Sequence, residues 1–251
     1  VTQFVSCEFA VRPFILKYWQ EMIQKMLEWS HHENHKVRRL ASEGSRPRLP
    51  WAMAIPFLKK DPASILPILN NLKQDPSEYV RRSVANSLND IAKDHPTVVL
   101  DIAKKWSGIS IETDAIIKHG SRTLLKQGHL EILQHYGLND KGILVTDFVV
   151  HTPEVKIGES LEFSFRIKNE NETDKKIRLE YAIYYKKQNG QNTKKVFKIS
   201  ERIYPRGYET SILRKQKFVL ITTRKFHAGE HQISLIVNGA ESALFNFELL
   251  P

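Results

Sequence analysis

A single cysteine, Cys7, in a chain of 251 residues rules out an intramolecular disulfide and makes a reducing compartment its natural setting. Cys7 has no neighbour that would make it a nucleophile and reads as a small core residue. No apolar run approaches the roughly 18 residues needed to span a bilayer, and no secretory signal is visible, so a soluble, cytoplasmic protein of bacterial intracellular type is expected. Glycine-rich phosphate loops and dinucleotide fingerprints are also missing, which leaves nucleotide cofactors without support; no cofactor is expected. His31, His32 and His35 invite a metal, but His32-Glu33-Asn34-His35 is one residue short of the HExxH zinc pattern and no further ligand accompanies it, so no metal is expected either. The chain lacks an initial methionine and opens inside what reads as a helix, so an N-terminal part is expected to precede Val1.

Positive charge is what the chain has in excess. Lys and Arg number 38 against 28 Asp and Glu, giving +10, and an acidic partner follows, nucleic acid being the commonest. The excess is even: 19 basic against 14 acidic residues in 1–138, and the same in 139–251. This excludes a disordered basic tail and argues against one half being the sole anion binder.

Residues 34–51 are the densest stretch. Val37, Leu40 and Ala41 recur at helical spacing, while Arg39 and Glu43 share another stripe, so a carboxylate is held beside a guanidinium. Gly44 suits a helix end, and Arg46, Pro47, Arg48, Pro50 and Trp51 follow as a stiff cationic exit with an exposed indole. A lone Arg-Glu pair would read as a salt-bridged helix. The density of arginine here points instead to an anion-binding site that also holds a carboxylate.

Residues 2–29 read as helical, with an interruption at Pro13 and Glu8 four residues before Arg12. Val37-Arg38-Arg39 repeats as Val80-Arg81-Arg82 at an offset of 43, and a looser third copy lies at Ile117-Lys118-His119 with Arg122 following. That period belongs to paired-helix repeats, so residues 1–138 are expected to form an all-α HEAT-like solenoid whose stacked helices leave a long concave surface. Further helices are expected over 51–60, 64–73 and 97–106. From 139 onward, alternation takes over: Leu161, Phe163, Phe165 and Ile167; Ile177, Leu179, Tyr181 and Ile183; Ile233, Leu235 and Val237. Asn189-Gly190 and Asn238-Gly239 are hairpin signals between such runs. Residues 139–251 are therefore expected to be an all-β immunoglobulin-like sandwich of about six to eight strands without the disulfide. Two loops carry basic and aromatic residues, 204–208 with Arg206 and 222–227 with Arg224.

Carboxylates set among arginines carry the candidate chemistry: Glu8 beside Arg12, Glu43 beside Arg39 and Arg46, and Asp90 continuing the stripe of Arg82 and Asn86. On a surface built only to hold a polyanion they would repel phosphate. Either they neutralise and orient the arginines, or they meet in space and stabilise a cation, as glycosidic cleavage with oxocarbenium character requires.

The segment 6–14 around Glu8 and Arg12, the helix 37–44 with Arg46-Pro47-Arg48-Leu49-Pro50-Trp51, the helix 80–86 and the later helix 117–124 together resemble the AlkC branch of HEAT-like alkylpurine DNA glycosylases, over essentially the whole chain. The resemblance implies a monofunctional N-glycosyl hydrolase of base excision repair that releases small N3-alkylated bases from duplex DNA. The base would be 3-methyladenine, with 3-methylcytosine a further candidate, and it would not be flipped into a deep pocket. It implies Glu8, Glu43 and Asp90 as catalytic carboxylates and Trp51 as a contact to the lesion nucleotide. Arg12, Arg38, Arg39, Arg46, Arg48, Arg81, Arg82, Lys118, Arg122, Arg206 and Arg224 would contact DNA, with the sandwich gripping the minor groove and the solenoid holding phosphates opposite. A monomer that associates with the nucleoid when on DNA is expected, with a non-enzymatic nucleic-acid-binding or scaffold protein as the alternative.

Overall fold

The computed structural model describes residues 1–219 and 226–251; Thr222, Thr223 and Arg224 lie outside the described residues. The chain divides into two compact units, Val1–Gln127 and Gly128–Pro251. No helix among the described residues is long and apolar enough to cross a membrane.

The first unit is helical: α1 (Arg12–Lys17), α2 (Trp19–Trp29), α3 (His35–Gly44), α4 (Pro56–Lys60), α5 (Leu66–Leu72), α6 (Glu78–Ile91), α7 (Pro96–Trp106), α8 (Ile111–Gly120) and α9 (Arg122–Gln127), with a 3₁₀ turn at Ala63–Ile65. Residues before Arg12 form turns rather than helix, and Pro13 opens α1 instead of interrupting it. A proline has no N–H to lose in a helix's first turn, so it starts helices readily. The real break is at Tyr18, whose φ of −128° and ψ of 55° leave the helical region. Trp51 to Ile55 is likewise not helical; Pro56 starts α4.

The two copies of the Val-Arg-Arg motif open α3 and α6. Asn34 caps α3 by accepting the Lys36 amide at 2.9 Å, and Val37 and Val80 are both buried. α3 packs on α6 and α6 on α8, and the buried hydroxyls of Ser42 and Ser83 bond at 2.7 Å across the first of these contacts. At the second, a Cβ on Gly120 would lie 2.7 Å from that of Leu88, so only glycine lets the helices approach this closely.

The second unit opens with α10 (Leu130–His135), ahead of the sequence-expected boundary at 138/139. Leu133 lies against Gly239, and the Asn238 side chain donates to the Asn139 carbonyl, which ties the helix to the sheet that follows. Nine strands follow among the described residues: β1 (Ile143–Val150), β2 (Glu154–Lys156), β3 (Ser160–Asn169), β4 (Lys175–Lys186), β5 (Asn192–Tyr204), β6 (Glu209–Lys217), β7 (Gly229–Val237), β8 (Ala240–Glu241) and β9 (Phe245–Leu250). One sheet runs β1-β3-β6 and the other β2-β9-β7-β4-β5, with β8 on β7. Leu161, Phe163, Phe165 and Ile167 of the first sheet share one core with Ile177, Leu179, Ile183, Ile233 and Leu235 of the second. The Asn-Gly pairs stand where the sequence put them: Gly190 in the β4–β5 turn, and Asn238 and Gly239, both at positive φ, between β7 and β8.

Gly120→Ala should destabilise the helical unit by about 1–3 kcal/mol, the overpacking outweighing the gain in helix propensity. A urea midpoint equal to wild type would mean that α6 and α8 separate without cost.

Candidate active site

Four elements bring the sequence-expected carboxylates together. Glu8 comes from the turn before α1, Arg39 and Glu43 from α3, Arg46 from the loop after it, and Asp90 from the end of α6. Arg39 reaches Glu8 Oε1 at 3.4 Å and Glu43 Oε1 at 3.8 Å. Arg46 Nη1 donates to that same Glu43 oxygen at 2.7 Å, and its Nε donates to Asp90 Oδ2 at 2.8 Å. Lys93 closes the chain on Asp90 Oδ1 at 3.3 Å. Acid and base therefore alternate without a gap from Glu8 to Lys93.

Glu43, Arg46 and Asp90 are buried. Burial alone would favour the neutral forms, but each charge has an opposite charge against it. For Arg46, burial pulls the pKa down, and the hydrogen bond to Asp90 with the charges of Glu43 and Asp90 more than reverses it. Burial likewise pushes the Glu8 carboxyl up, while Ser6, its own backbone amide and Arg39 together bring it below the ordinary value of 4.5. Glu8 is therefore held in its charged form, which suits it to stabilise a cation more than to accept a proton. Glu43 Oε2 makes no hydrogen bond among the described residues, which leaves one oxygen of this carboxylate for a ligand.

Asp90 rather than its neighbour joins the network. Asn89 Oδ1 instead accepts from the Thr123 hydroxyl at 2.8 Å and from its amide at 3.3 Å, fixing α9 to α6.

Several expected DNA contacts have other work. Arg12 does not pair with Glu8: it is fully buried and donates to the carbonyls of Gly44, Arg46 and Met53. Burial and the repulsion of Arg46, partly offset by Asp90 and Glu43, bring its pKa down to about 10. Arg38 makes a two-pronged pair with Asp75 and holds the carbonyls of His32 and Glu33, so its donors are spent within the fold. Arg81 donates to the carbonyls of Asp75 and Pro76. Arg46 spends its Nε on Asp90 and its Nη1 on Glu43. In the second unit, Arg206 pairs with Glu172 and its amide donates to Asp174; of the aromatics in this loop Tyr204 is core, while Tyr208 and Arg206 are exposed at the tip. His31 and His32 are likewise engaged locally, with Asn71 and the Asn34 amide.

Other expected contacts remain available. Arg82 and Arg122 are exposed, and Arg48 is partly exposed while paired with Asp94 at 2.7 Å. Arg39 stacks on Tyr79 at 4.3 Å from the ring centre. Lys118 is not among these contacts: it is half-buried and its Nζ is enclosed. Trp51 is 94% exposed and its φ is +66°. Left-handed backbone costs an L-residue about 1–2 kcal/mol, and a bulky indole held there over open solvent marks a loop shaped for use. His119, marked in the sequence only as part of the third motif copy, donates from Nε2 to Asn86 Oδ1 at 3.1 Å, one helical turn before Asp90 on α6.

Comparison with known proteins gives the class. Residues 2–120 match the model of the DNA alkylation repair enzyme family, and residues 144–251 match that of the C-terminal Ig-like domain of the uncharacterised protein YhaZ. The chain belongs to the DNA alkylation repair enzyme family, in its AlkC-type branch with a C-terminal immunoglobulin-like domain. Uncharacterized protein YhaZ of Bacillus subtilis (strain 168) is 49% identical over 249 residues, covering 99% of this chain and 69% of that protein. The structure of Pseudomonas fluorescens alkylpurine DNA glycosylase AlkC bound to DNA containing an abasic site analog aligns at a TM-score of 0.95 and 39% identity, covering 100% of this chain and 70% of that one.

Trp51→Ala should change folding stability by less than about 0.5 kcal/mol, as for any exposed side chain, yet weaken binding to lesion-containing DNA; equal affinity for lesion and undamaged duplex in wild type and variant would remove Trp51 from recognition. A second expectation concerns pH. Burial, reinforced by Arg122, Arg82 and Arg46, holds His119 below 6.5, so the unfolded chain takes up this proton more readily than the native state. The stability contributed by the neutral ring is present above 6.5 and is lost as pH falls from there towards the native value. His119→Gln should therefore flatten the fall in melting temperature between about pH 7 and 5, with buried His231 supplying the slope that remains. An unchanged slope would refute it.

Proposed function

We propose that the protein is a monofunctional DNA glycosylase that hydrolyses the N-glycosidic bond of small N3-alkylated bases in duplex DNA, with 3-methyladenine as the leading substrate. The observation that carries this reading is the junction of Glu8, Glu43 and Asp90 through Arg39 and Arg46 into one run of ion pairs. Family membership and the similarity to the alkylpurine DNA glycosylase AlkC, whose structure is bound to DNA containing an abasic site analog, support the same class. The stacking of α3, α6 and α8 with a shared opening motif supports the HEAT-like description of the helical unit.

Alkylation at N3 makes the base a cationic leaving group, so the glycosidic bond breaks with its electron pair going to the base and no general acid is needed. The sugar left behind has oxocarbenium character. Ionised carboxylates stabilise it, and a water oxygen adds to C1′ as one proton leaves to solvent. Glu43 is best suited to face the sugar because its Oε2 is not engaged by the protein while Arg46 fixes its Oε1 at 2.7 Å; Glu8, whose Oε2 is also without a hydrogen bond among the described residues, is held by Arg39 only at 3.4 Å. Asp90 has both oxygens taken, by Arg46 and Lys93, and acts by holding Arg46 in place. Glu8 adds charge from the other end. Such a site needs no enclosed pocket, which accords with a base that stays near the duplex.

Arg39, Arg48, Arg82 and Arg122 are the proposed phosphate contacts of the helical unit, and Trp51 the contact beside the lesion. The protein acts as a cytoplasmic monomer. The alternative, a nucleic-acid binder without chemistry, would hold duplex DNA and release nothing.

Chromatography of bases released from methylated duplex decides between them. Wild type should free 3-methyladenine. Glu43→Gln should lower the single-turnover rate by on the order of 10²–10³-fold while leaving duplex affinity nearly unchanged, since Arg46 keeps Asp90. Absence of released base from the wild type would leave the binder; loss of affinity with the rate intact would make Glu43 structural.

A further inference from the structure

Arg12 takes no part in the chemistry above, yet it heads the largest fully buried side chains among the described residues. It leads α1, four residues after Glu8, so one short segment sends a carboxylate into the ion-pair run and a guanidinium beneath the loop that follows α3. The three carbonyls it holds are unevenly spread along that loop. Nη1 bonds Gly44 O at 3.1 Å and Arg46 O at 2.9 Å, on either side of the turn that sends Arg46 between Glu43 and Asp90. Nε bonds Met53 O at 2.6 Å, two residues beyond Trp51.

The rest of the loop is tied at its flanks. Ile55 N bonds Pro47 O at 3.1 Å, Ala52 N bonds Leu49 O at 3.2 Å, and Arg48 pairs with Asp94. The crest carries an indole at 94% exposure on left-handed backbone, with Met53 half exposed beside it. A strained, solvent-facing crest stays in one conformation only if something beneath over-determines it. Arg12 is the side chain that reaches both limbs. Its Nη2 is buried without an acceptor, a costly arrangement for a residue whose task were stability alone.

We propose that Arg12 is a positioning residue: by gripping the carbonyls of Gly44, Arg46 and Met53 it sets the angle of the Trp51 crest and the seat of Arg46 together, coupling lesion contact to the alignment of Glu43. This rests on the glycosylase reading for its consequence, but the coupling itself is a property of the loop. Only a planar fork spans carbonyls on two limbs at once; a lysine ammonium of similar length is a point donor and cannot. The sequence pairing of Arg12 with Glu8, and its expected role on DNA, give way to this one.

The test uses Arg12→Lys and Arg12→Ala in the full chain. In Arg12→Lys, amide hydrogen exchange over residues 48–55 should quicken at least about tenfold while α6 and β3 keep wild-type protection, and acrylamide should quench Trp51 differently. Single-turnover base release should fall on the order of 10–100-fold with undamaged-duplex affinity within about threefold, the size of loss that a misplacement near 1 Å produces. Methylguanidinium should restore part of the Arg12→Ala rate where methylammonium does not. Wild-type exchange in the loop of Arg12→Lys would overturn the proposal, as would protection lost evenly across the helical unit in both variants. A wild type that releases no base would refute the glycosylase reading instead, and the exchange and quenching results would still decide what Arg12 holds.

Discussion

Arg46 is the hinge of this molecule's electrostatics. Two carboxylates from helices far apart in sequence converge in a buried place, and the Arg46 guanidinium stands between them. Coulomb attraction at 2.7 and 2.8 Å offsets the desolvation of all three groups, and the planar fork lets one side chain serve both partners. Removing either carboxylate leaves Arg46 with one partner, whereas removing Arg46 leaves two buried anions facing each other. The rest of the site follows from that seat: Arg39 extends the alternation to Glu8, and Lys93 closes it beyond Asp90.

The seat is built by ordinary helix packing. Gly120 lets α6 and α8 approach, Ser42 and Ser83 join α3 to α6, and Asn89 pins α9, so the stripe of Arg82, Asn86 and Asp90 is held rigidly along one face of α6. A reacting group on a packed helix is aimed better than one on a free loop. Where a loop is unavoidable, as at Trp51, the fold supplies a buried guanidinium beneath it. Arginine thus does three different jobs in the helical unit: Arg12 bonds backbone carbonyls, Arg46 joins carboxylates, and Arg82 and Arg122 stay open to solvent.

The second unit obeys simpler rules and was easier to read. The alternation in β3 and the two Asn-Gly turns translate directly into strands and hairpins, because a period of two and a positive φ are local properties. β4 is different. Arg178 and Glu180, on the face the alternation assigns to solvent, are almost fully buried and paired with each other and with Glu201. Nothing in the pattern announces this, since charged residues at alternate positions read the same whether solvent or another charge meets them.

By itself the sequence determined the helical and sheet halves, the two copies of the Val-Arg-Arg motif at the starts of α3 and α6, and the neighbourly pairs Arg39–Glu43 and Glu43–Arg46, all of which lie within one or two helical turns. Tertiary structure alone decided which arginines face solvent and which are spent. Glu8 and Arg12 look like partners at four residues' spacing, but the turn before Pro13 parts them, and each finds its mate more than thirty residues away. Asp90 meets Arg46 across 44 positions of sequence. Such pairings depend on which helix faces pack together, and a charge carries no record of that in its own neighbourhood, whereas period, cap and turn are written within a few residues of where they act.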